Sequence, residues 1–389
     1  MIWIVLLLIA AATAVDFAAY RRLVKPAVKS AAHRHALLAA MLLADMLPLI
    51  TTAFFAALRD NDTPAMKAAM WIMFAWLLLV PPRMILFAAL LSSRRPAVRT
   101  AGAVAAAALA ALLVYGACGW RDMLTVTRVE IRSERLPEAF DGFRIVQFSD
   151  LHIGSLVHPR AEMRRLVDTI NSLNADLVVF TGDLVNIRYT ELDDETMRLL
   201  GGIEAPVLSV TGNHDTGIYV RDSVSLPREE NIRLLLERQR RMGWTVLDNE
   251  TAYIRRGGDS IAVTGLSFDL SLRNVRHSGK TPDADIRPAY EGVPQGMFDI
   301  TLAHIPQMWE LVTGLGAGDL TLSGHVHSMQ SKVRLFGRQY SPARLMYRRW
   351  SGLYEKDGHY LYINDGIGYV GVPMRLGAKP EITLFTLER

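Results

Sequence analysis

Five apolar, β-branched runs of strand length end abruptly in Asp, His or Asn. FRIVQFSD-L-H delivers Asp150 and His152, DLVVFTGD delivers Asp183, and VLSVTGNHD delivers Asn213, His214 and Asp215. DITLAH then supplies His304, and LTLSGHVH supplies His325 and His327. Singly, each has an ordinary explanation, since a strand-end Asp caps the next helix and a histidine is held by hydrogen bonds. Together they do not: five of the ten histidines and three aspartates sit immediately beyond buried-looking runs. Four of these turns also carry a glycine, which lets two backbones approach closely.

Such a set suits a pair of divalent ions about 3.5–4 Å apart, which needs a bridging anion and further N and O ligands drawn from distant loops. Mixed His/Asp/Asn ligation fits two ions from among Mn, Fe, Zn and Co, with Mn favoured, and a cysteine-type zinc site is excluded because no ligand is sulfur. The only cysteine is Cys118, at the end of an apolar run. A metal pair lowers the pKa of a bound water to about 7 and neutralises charge on phosphoryl oxygens during in-line attack. To bring these residues together, the strands must alternate with the helical patterns at 159–173, 191–201 and 228–242. That alternation predicts a largely parallel α/β arrangement, with functional groups gathered at the carboxyl ends of strands.

At these residues the chain closely resembles the calcineurin-like metallophosphoesterase superfamily, whose pattern is D-x-H, G-D, G-N-H-[DE], a lone His, then G-H-x-H. All five blocks occur in order, and the resemblance covers roughly residues 121–389. It implies an α/β fold of the αββα sandwich type. It further implies that Asp150, His152, Asp183 and His327 hold one metal, and that Asp183 bridges to a second completed by Asn213, His304 and His325. His214 matches the histidine that contacts the phosphate and protonates the leaving group, with Asp215 orienting its ring. Within the superfamily the chain is most similar to the bacterial membrane-associated branch, through its N-terminal helices and the tail GIGYVGVPMRLGAKPEITLFTL. That branch usually reads G-H-T-H-G-G-Q, whereas here the residues are Gly324-His325-Val326-His327-Ser328-Met329-Gln330. The ligand positions survive, but Met329 is expected to place bulk beside the substrate where a glycine leaves room.

Half of the 389 residues are hydrophobic, yet charges are sparse only as far as about Trp120. The sequence therefore divides into an all-α transmembrane region over 1–120 and a hydrolase domain over 121–389. Four stretches, 2–20, 36–58, 68–92 and 101–120, are long and apolar enough to span a bilayer and show no polar face. The first resembles a signal peptide at Ala12-Thr13-Ala14 but lacks a basic region before it. Basic residues follow it instead (Arg21, Arg22, Lys25, Lys29 and Arg34) and cluster again at Arg94, Arg95 and Arg99, whereas Arg59 and Lys67 are diluted by Asp60 and Asp62. The positive-inside rule then predicts a multi-pass protein of the plasma (inner) membrane with its catalytic domain on the periplasmic side. Pro81-Pro82-Arg83 is expected to interrupt the third stretch, and a re-entrant third segment would reverse that side. Asp45 and Arg83, both inside apolar stretches, are expected to pair between helices.

The formal charge is +4, but the excess sits in short loops between apolar segments, with no basic stripe interleaved with aromatics, so no nucleic-acid partner is expected. Ser278-Gly279-Lys280-Thr281 imitates a phosphate-binding loop, yet Asn274 stands where that motif needs glycine. The arginines of 228–241 read as a solvated helix face, and 269–296, with His277, as a surface loop near the cleft. The reading is thus a metal-dependent phosphatase or phosphodiesterase whose partners are the bilayer and a phosphoester, membrane-associated or lipid-linked. Two alternatives differ in class. One is a catalytically silent metal-binding membrane sensor or scaffold, against which an intact His214 argues; the other is a transporter or channel formed by the four helices with the soluble domain as regulator, which scarce intramembrane charge disfavours.

Overall fold

The computed structural model describes residues 2–58, 61–221 and 226–389. The chain divides into two compact units, Met1–Gly119 with Gly371–Met374, and Trp120–Val370 with Arg375–Arg389.

The first unit is helical, with long helices at Ile2–Ala19, Ala31–Ala57, Thr63–Ser92 and Pro96–Cys118. Two starts are capped by side chains: Ser30 accepts from the His33 N–H and Asp62 from the Ala65 N–H. Among the described residues, Ala31–Ala57, Thr63–Ser92 and Pro96–Asp122 are long and apolar enough to cross a membrane. The first stretch forms an 18-residue helix that runs into a short π-helix, Tyr20–Val24. The expected interruption at Pro81-Pro82 is corrected, because both prolines lie inside one helix of 30 residues. At 1.5 Å per residue that helix is about 45 Å long, more than the roughly 30 Å of a bilayer's hydrocarbon core. Asp45 and Arg83 do pair, at 2.5 Å, and Asp16 joins them 2.9 Å from the same guanidinium nitrogen. Of the loop charges used for topology, Arg59 and Asp60 lie outside the described residues.

The second unit is an α/β sandwich. Its strands are β1 (Thr125–Arg132), β2 (Arg144–Phe148), β3 (Leu177–Phe180), β4 (Val207–Ser209), β5 (Thr245–Val246), β6 (Glu250–Arg256) and β7 (Asp259–Leu266). There follow β8 (Asp299–Ala303), β9 (Leu320–Ser323), β10 (Val333–Leu335), β11 (Arg338–Tyr340), β12 (Gly352–Lys356), β13 (His359–Ile363) and β14 (Glu381–Glu388). One six-stranded sheet has the order β1-β14-β2-β3-β4-β5 and the other β12-β13-β9-β8-β7-β6. Strands β2 to β5 run parallel, as do β7, β8, β9 and β13, while antiparallel pairs occur at β14–β2, β6–β7 and β12–β13.

The two sheets bury one shared core. Ile145, Val179 and Leu208 of the first meet Ile300, Leu302 and Leu322 of the second in one apolar cluster. Parallel strands need crossovers, which the helices supply. Helix Pro159–Ser172 joins β2 to β3 and buries Met163, Leu166, Val167 and Ile170 at helical spacing. Helix Arg228–Arg241 instead turns Arg233, Arg240 and Arg241 outward, where Arg233 pairs with Glu230 and Glu237, while Arg238 folds back onto the Leu192 carbonyl and the Tyr189 ring. The consequence for function is geometric. Neighbours β2, β3 and β4 in one sheet, and β8 and β9 in the other, all discharge their carboxyl ends along one edge of a rigid, doubly packed scaffold.

Leu322 is fully buried between the sheets. Leu322→Ala should cost about 2–5 kcal/mol and lower the thermal midpoint of the full chain in detergent; an unchanged midpoint would contradict this packing.

Candidate metal centre

The turns beyond these strands are strained. Asp150, His152, Asp183, His325 and His327 have φ of 53°, 45°, 61°, 71° and 51°, left-handed values that cost a side-chain-bearing residue on the order of 1–2 kcal/mol each. Neighbouring turns hold them there. The Asp150 N–H donates to the Gly182 carbonyl (2.9 Å), the His152 N–H to the Asp183 carbonyl (3.1 Å), and the His325 N–H to the Asp150 carboxylate (3.0 Å). Two motif glycines are required by this closeness. A Cβ on Gly212 would lie 2.2 Å from Asp183 Oδ1, and one on Gly324 would lie 2.2 Å from Asp150 Oδ2.

All seven expected ligands converge. His304 Nδ1 lies 2.8 Å from the Thr181 carbonyl and His325 Nε2 lies 3.0 Å from the Arg276 carbonyl. A carbonyl only accepts, so those nitrogens carry the protons, leaving bare lone pairs on His304 Nε2 and His325 Nδ1 in the neutral rings. These two nitrogens face each other at 3.3 Å. Asn213 Oδ1 and Asp183 Oδ2 each lie 3.2 Å from His304 Nε2, and the Asn213 amide is oriented by donating to the Tyr219 hydroxyl (3.2 Å). Four acceptors thus crowd one buried point, an arrangement that repels itself unless a cation sits among them.

The second cluster adjoins it. His327 Nε2 lies 3.0 Å from Asp150 Oδ1 and 3.2 Å from His152 Nε2, which in turn is 3.7 Å from Asp183 Oδ2. Asp150, His152 and His327 form one group with metal-ligand spacing, and Asp183, His304 and His325 form another; Asp183 also groups with His152 and His214. Donor chemistry and spacing in these groups fit a divalent metal centre.

The electrostatics agree. Burial alone would raise both carboxyls, but His327 beside Asp150 and His304 beside Asp183 hold them below the usual carboxylate range. Burial keeps the rings of His152 and His325 well below an ordinary histidine, hence neutral. His304 is the exception: burial disfavours its charge, yet the Asp183 carboxylate prevails and raises it to about 9. The site therefore draws positive charge toward Asp183.

The histidine expected to act on substrate is half-buried beside the clusters. The His214 N–H donates to Asp183 Oδ1 (2.7 Å), and its ring packs edge-on against His152 with centroids 4.6 Å apart. Asp215 does not orient that ring, which corrects one expectation. Its carboxylate accepts from four backbone N–H groups, those of Asp183, Leu184, Val185 and Gly212, at 2.8–3.2 Å. The ring is fixed instead by the Asn186 carbonyl, 2.6 Å from His214 Nδ1.

Sequence reasoning missed the residues that complete this shell. Glu191, read only as part of a helical pattern, is buried and accepts from the N–H groups of Gly154, Asn186, Ile187 and Arg188, so it clamps the loop that presents the Asn186 carbonyl. Tyr347 bonds His277 at 2.7 Å, and the exposed His277 ring stacks on His325 with centroids 5.1 Å apart. The loop over 269–296 thus reaches the metal centre itself. A long-range main-chain contact such as that of the Arg276 carbonyl leaves no mark on residue type.

Known proteins share this arrangement's sequence signature. The pattern of the calcineurin-like phosphoesterases matches residues 143–329. An uncharacterized metallophosphoesterase of Bacillus subtilis, YkuE, is 32% identical over 298 residues, covering 74% of this chain and 94% of the relative. A transmembrane protein with metallophosphoesterase domain from Danio rerio is 33% identical over 288 residues, covering 72% of this chain and 61% of the relative. Its counterpart from Bos taurus is 30% identical over 304 residues, covering 76% and 64%. The chain therefore spans less than two thirds of either vertebrate relative.

Metal removal gives a direct check. Protein purified with Mn²⁺ should contain metal by elemental analysis and lose thermal stability on chelation; at a hundredfold excess over Kd, the bound ion contributes about 2.7 kcal/mol. Asp183→Asn should bind far less metal and melt at nearly the same temperature with or without chelator. Equal metal content in the two proteins would refute the assignment of Asp183.

Proposed function

The chain belongs to the calcineurin-like metallophosphoesterases, hydrolases of phosphoric ester bonds, and from that premise we propose that it cleaves a membrane-associated or lipid-linked phosphomonoester or phosphodiester at a dinuclear centre. Asp150, His152, Asp183 and His327 would hold one ion, and Asp183, Asn213, His304 and His325 the other, with Mn favoured. The observation that carries this reading is the convergence of Asp150, His152 and His327 on one point and of Asp183, His304 and His325 on an adjoining one, with Asp183 also grouped with His152. When bound, such a pair supplies a water acidic enough to attack at neutral pH and charge neutralisation for the phosphoryl oxygens.

The chain's own groups do the rest. Because His214 Nδ1 donates to the Asn186 carbonyl, the protonated ring carries its second proton on Nε2, available to a leaving oxygen. Its backbone N–H on Asp183 keeps that donor in register with the shared carboxylate. Asp215 and Glu191 act at one remove, each tying turns together through four backbone N–H groups. An intact proton donor is unnecessary for a silent sensor, which favours turnover. Tethering by apolar helices raises the effective concentration of the site toward substrates in the same bilayer. Basic clusters after the first and third apolar stretches support an inner-membrane protein with a periplasmic catalytic domain.

The full chain in detergent with Mn²⁺ should hydrolyse aryl phosphate mono- or diesters. His214→Ala should lower kcat by roughly 10²–10⁴-fold while keeping its metal, whereas Asp183→Asn should lose both. Equal rates for wild type and both variants would reject the hydrolase reading, and a long-chain lipid phosphate cleaved no faster than a short-chain analogue would remove the lipid preference.

A further inference from the structure

We propose that the hairpin β10–β11, with the turn that follows it, is a bilayer-docking element: a second contact with the membrane, made by the hydrolase unit independently of the N-terminal helices. β10 and β11 pair only with each other, outside both six-stranded sheets. At the tip Phe336 is fully exposed and left-handed, with φ of 48°. Left-handed turn positions favour Asn, Asp or Gly, as at the next residue, Gly337. A bulky aromatic there is strained and, being fully exposed, has no packing in this fold to explain it. Val333, Leu335, Tyr340, Leu345 and Met346 are exposed around it, Leu345 by 89%. Among the described residues of the hydrolase unit, seven of the twelve large apolar side chains that are exposed lie between Met329 and Met346. That concentration is a patch and not a scatter.

The charge around the patch selects its occupant. Residues 331–350 contain six basic side chains and no acidic one. Lys332 and Arg349 pair with Asp365 and Glu310, and Arg348 also lies in the field of Glu310, but Arg334, Arg338 and Arg344 are exposed with no acidic partner among the described residues. Apolar side chains flanked by free arginines match an anionic bilayer surface, the first entering the acyl boundary and the second meeting lipid phosphates. A second copy would set the same positive charge against itself. A chain with helices long enough to cross a membrane also keeps a bilayer within reach.

The hairpin is fastened to the metal-ligand turn. The Lys332 N–H donates to the Leu376 carbonyl (2.8 Å), the Leu376 N–H to the Gln330 carbonyl (2.7 Å), and Ser341 Oγ to the Ser328 carbonyl (2.6 Å), one residue beyond His327. Docking would therefore set the depth at which the site meets lipid. The surface does not depend on catalysis, so its test can be independent of activity.

Cys118→Ser removes the only cysteine, and Phe336→Cys, Leu345→Cys or Asp357→Cys then gives one site for an environment-sensitive fluorophore in the full chain. Asp357, exposed in the β12–β13 turn with φ of 53°, is the control. In nanodiscs of phosphatidylcholine and phosphatidylglycerol, doxyl-labelled lipid should quench the probes at 336 and 345 at least twofold more than the probe at 357. Equal quenching at all three positions would overturn the proposal. So would disulfide cross-linking of Phe336→Cys between chains without lipid quenching, which would identify a second copy as the occupant. Adding Arg334→Glu and Arg338→Glu should at least halve the quenching at 336, and undiminished quenching would overturn the anionic-surface assignment.

Discussion

The structure depends on an unfavourable electrostatic arrangement. With the His304 ring neutral, His304 Nε2, His325 Nδ1, Asn213 Oδ1 and Asp183 Oδ2 present lone pairs to one another with no hydrogen-bond donor of their own between them. Main-chain carbonyls enforce this, because Thr181 and Arg276 claim the opposite edges of the two rings. In a buried site the repulsion is weakly screened, so the folded chain is completed by positive charge. The lift of His304 to about 9 reports the same demand as a proton would satisfy it.

Such a cluster survives only if the backbone cannot relax away from it. Five of the seven converging residues are left-handed and strained, and the scaffold must hold every one of them. Two devices do so. The sheet pair fixes the strand ends, and two buried carboxylates fix the turns: Asp215 links the Asp183 turn to Gly212, and Glu191 links Gly154 to the loop at 186–188. Each replaces the ladder that a turn lacks with four N–H bonds. Removing either would strand several buried N–H groups, each costing about 1–3 kcal/mol. Their importance is therefore architectural, and catalysis inherits it.

This division explains what was legible in the sequence. Strand termini in Asp, His and Asn pointed to the side chains that converge because metal chemistry restricts side-chain types, and strand-helix alternation pointed to a largely parallel α/β arrangement because burial restricts periodicity, while the sandwich itself came from the family resemblance. Asp215 was found by its neighbourhood but matched to the wrong partner. Its adjacency to His214 in sequence suggested a side-chain pair, whereas a turn carries it toward the backbone of the Asp183 loop. Glu191 and the Arg276 carbonyl were illegible, since a glutamate at a helix start looks like a solvated charge and a carbonyl belongs to every residue. The prolines at 81 and 82 misled for a related reason. Local propensity disfavours them within a helix, but in an apolar unit the alternative of an opened, unsatisfied backbone costs more.

The stretch after His327 shows how a departure from the superfamily's glycines can be absorbed. Ser328, Met329 and Gln330 have φ of 51°, 46° and 57°, three successive positions that glycine would occupy without strain. Side-chain bonds compensate: Ser328 Oγ donates to Asp365 Oδ1 (2.6 Å), and Gln330 Oε1 accepts from the Val370 N–H (2.5 Å). Asp365 in turn takes Lys332, the first residue leading into the β10–β11 hairpin. Met329 is exposed by 45%, so its side chain leaves the core of the turn and joins the apolar surface that continues through Phe336. Of the two replaced glycines, the one at 328 thus exchanges conformational freedom for a specific anchor on Asp365, the carboxylate that also takes Lys332 at the foot of the hairpin. A turn of glycines would hold the same metal ligands but would transmit less of the hairpin's position to them.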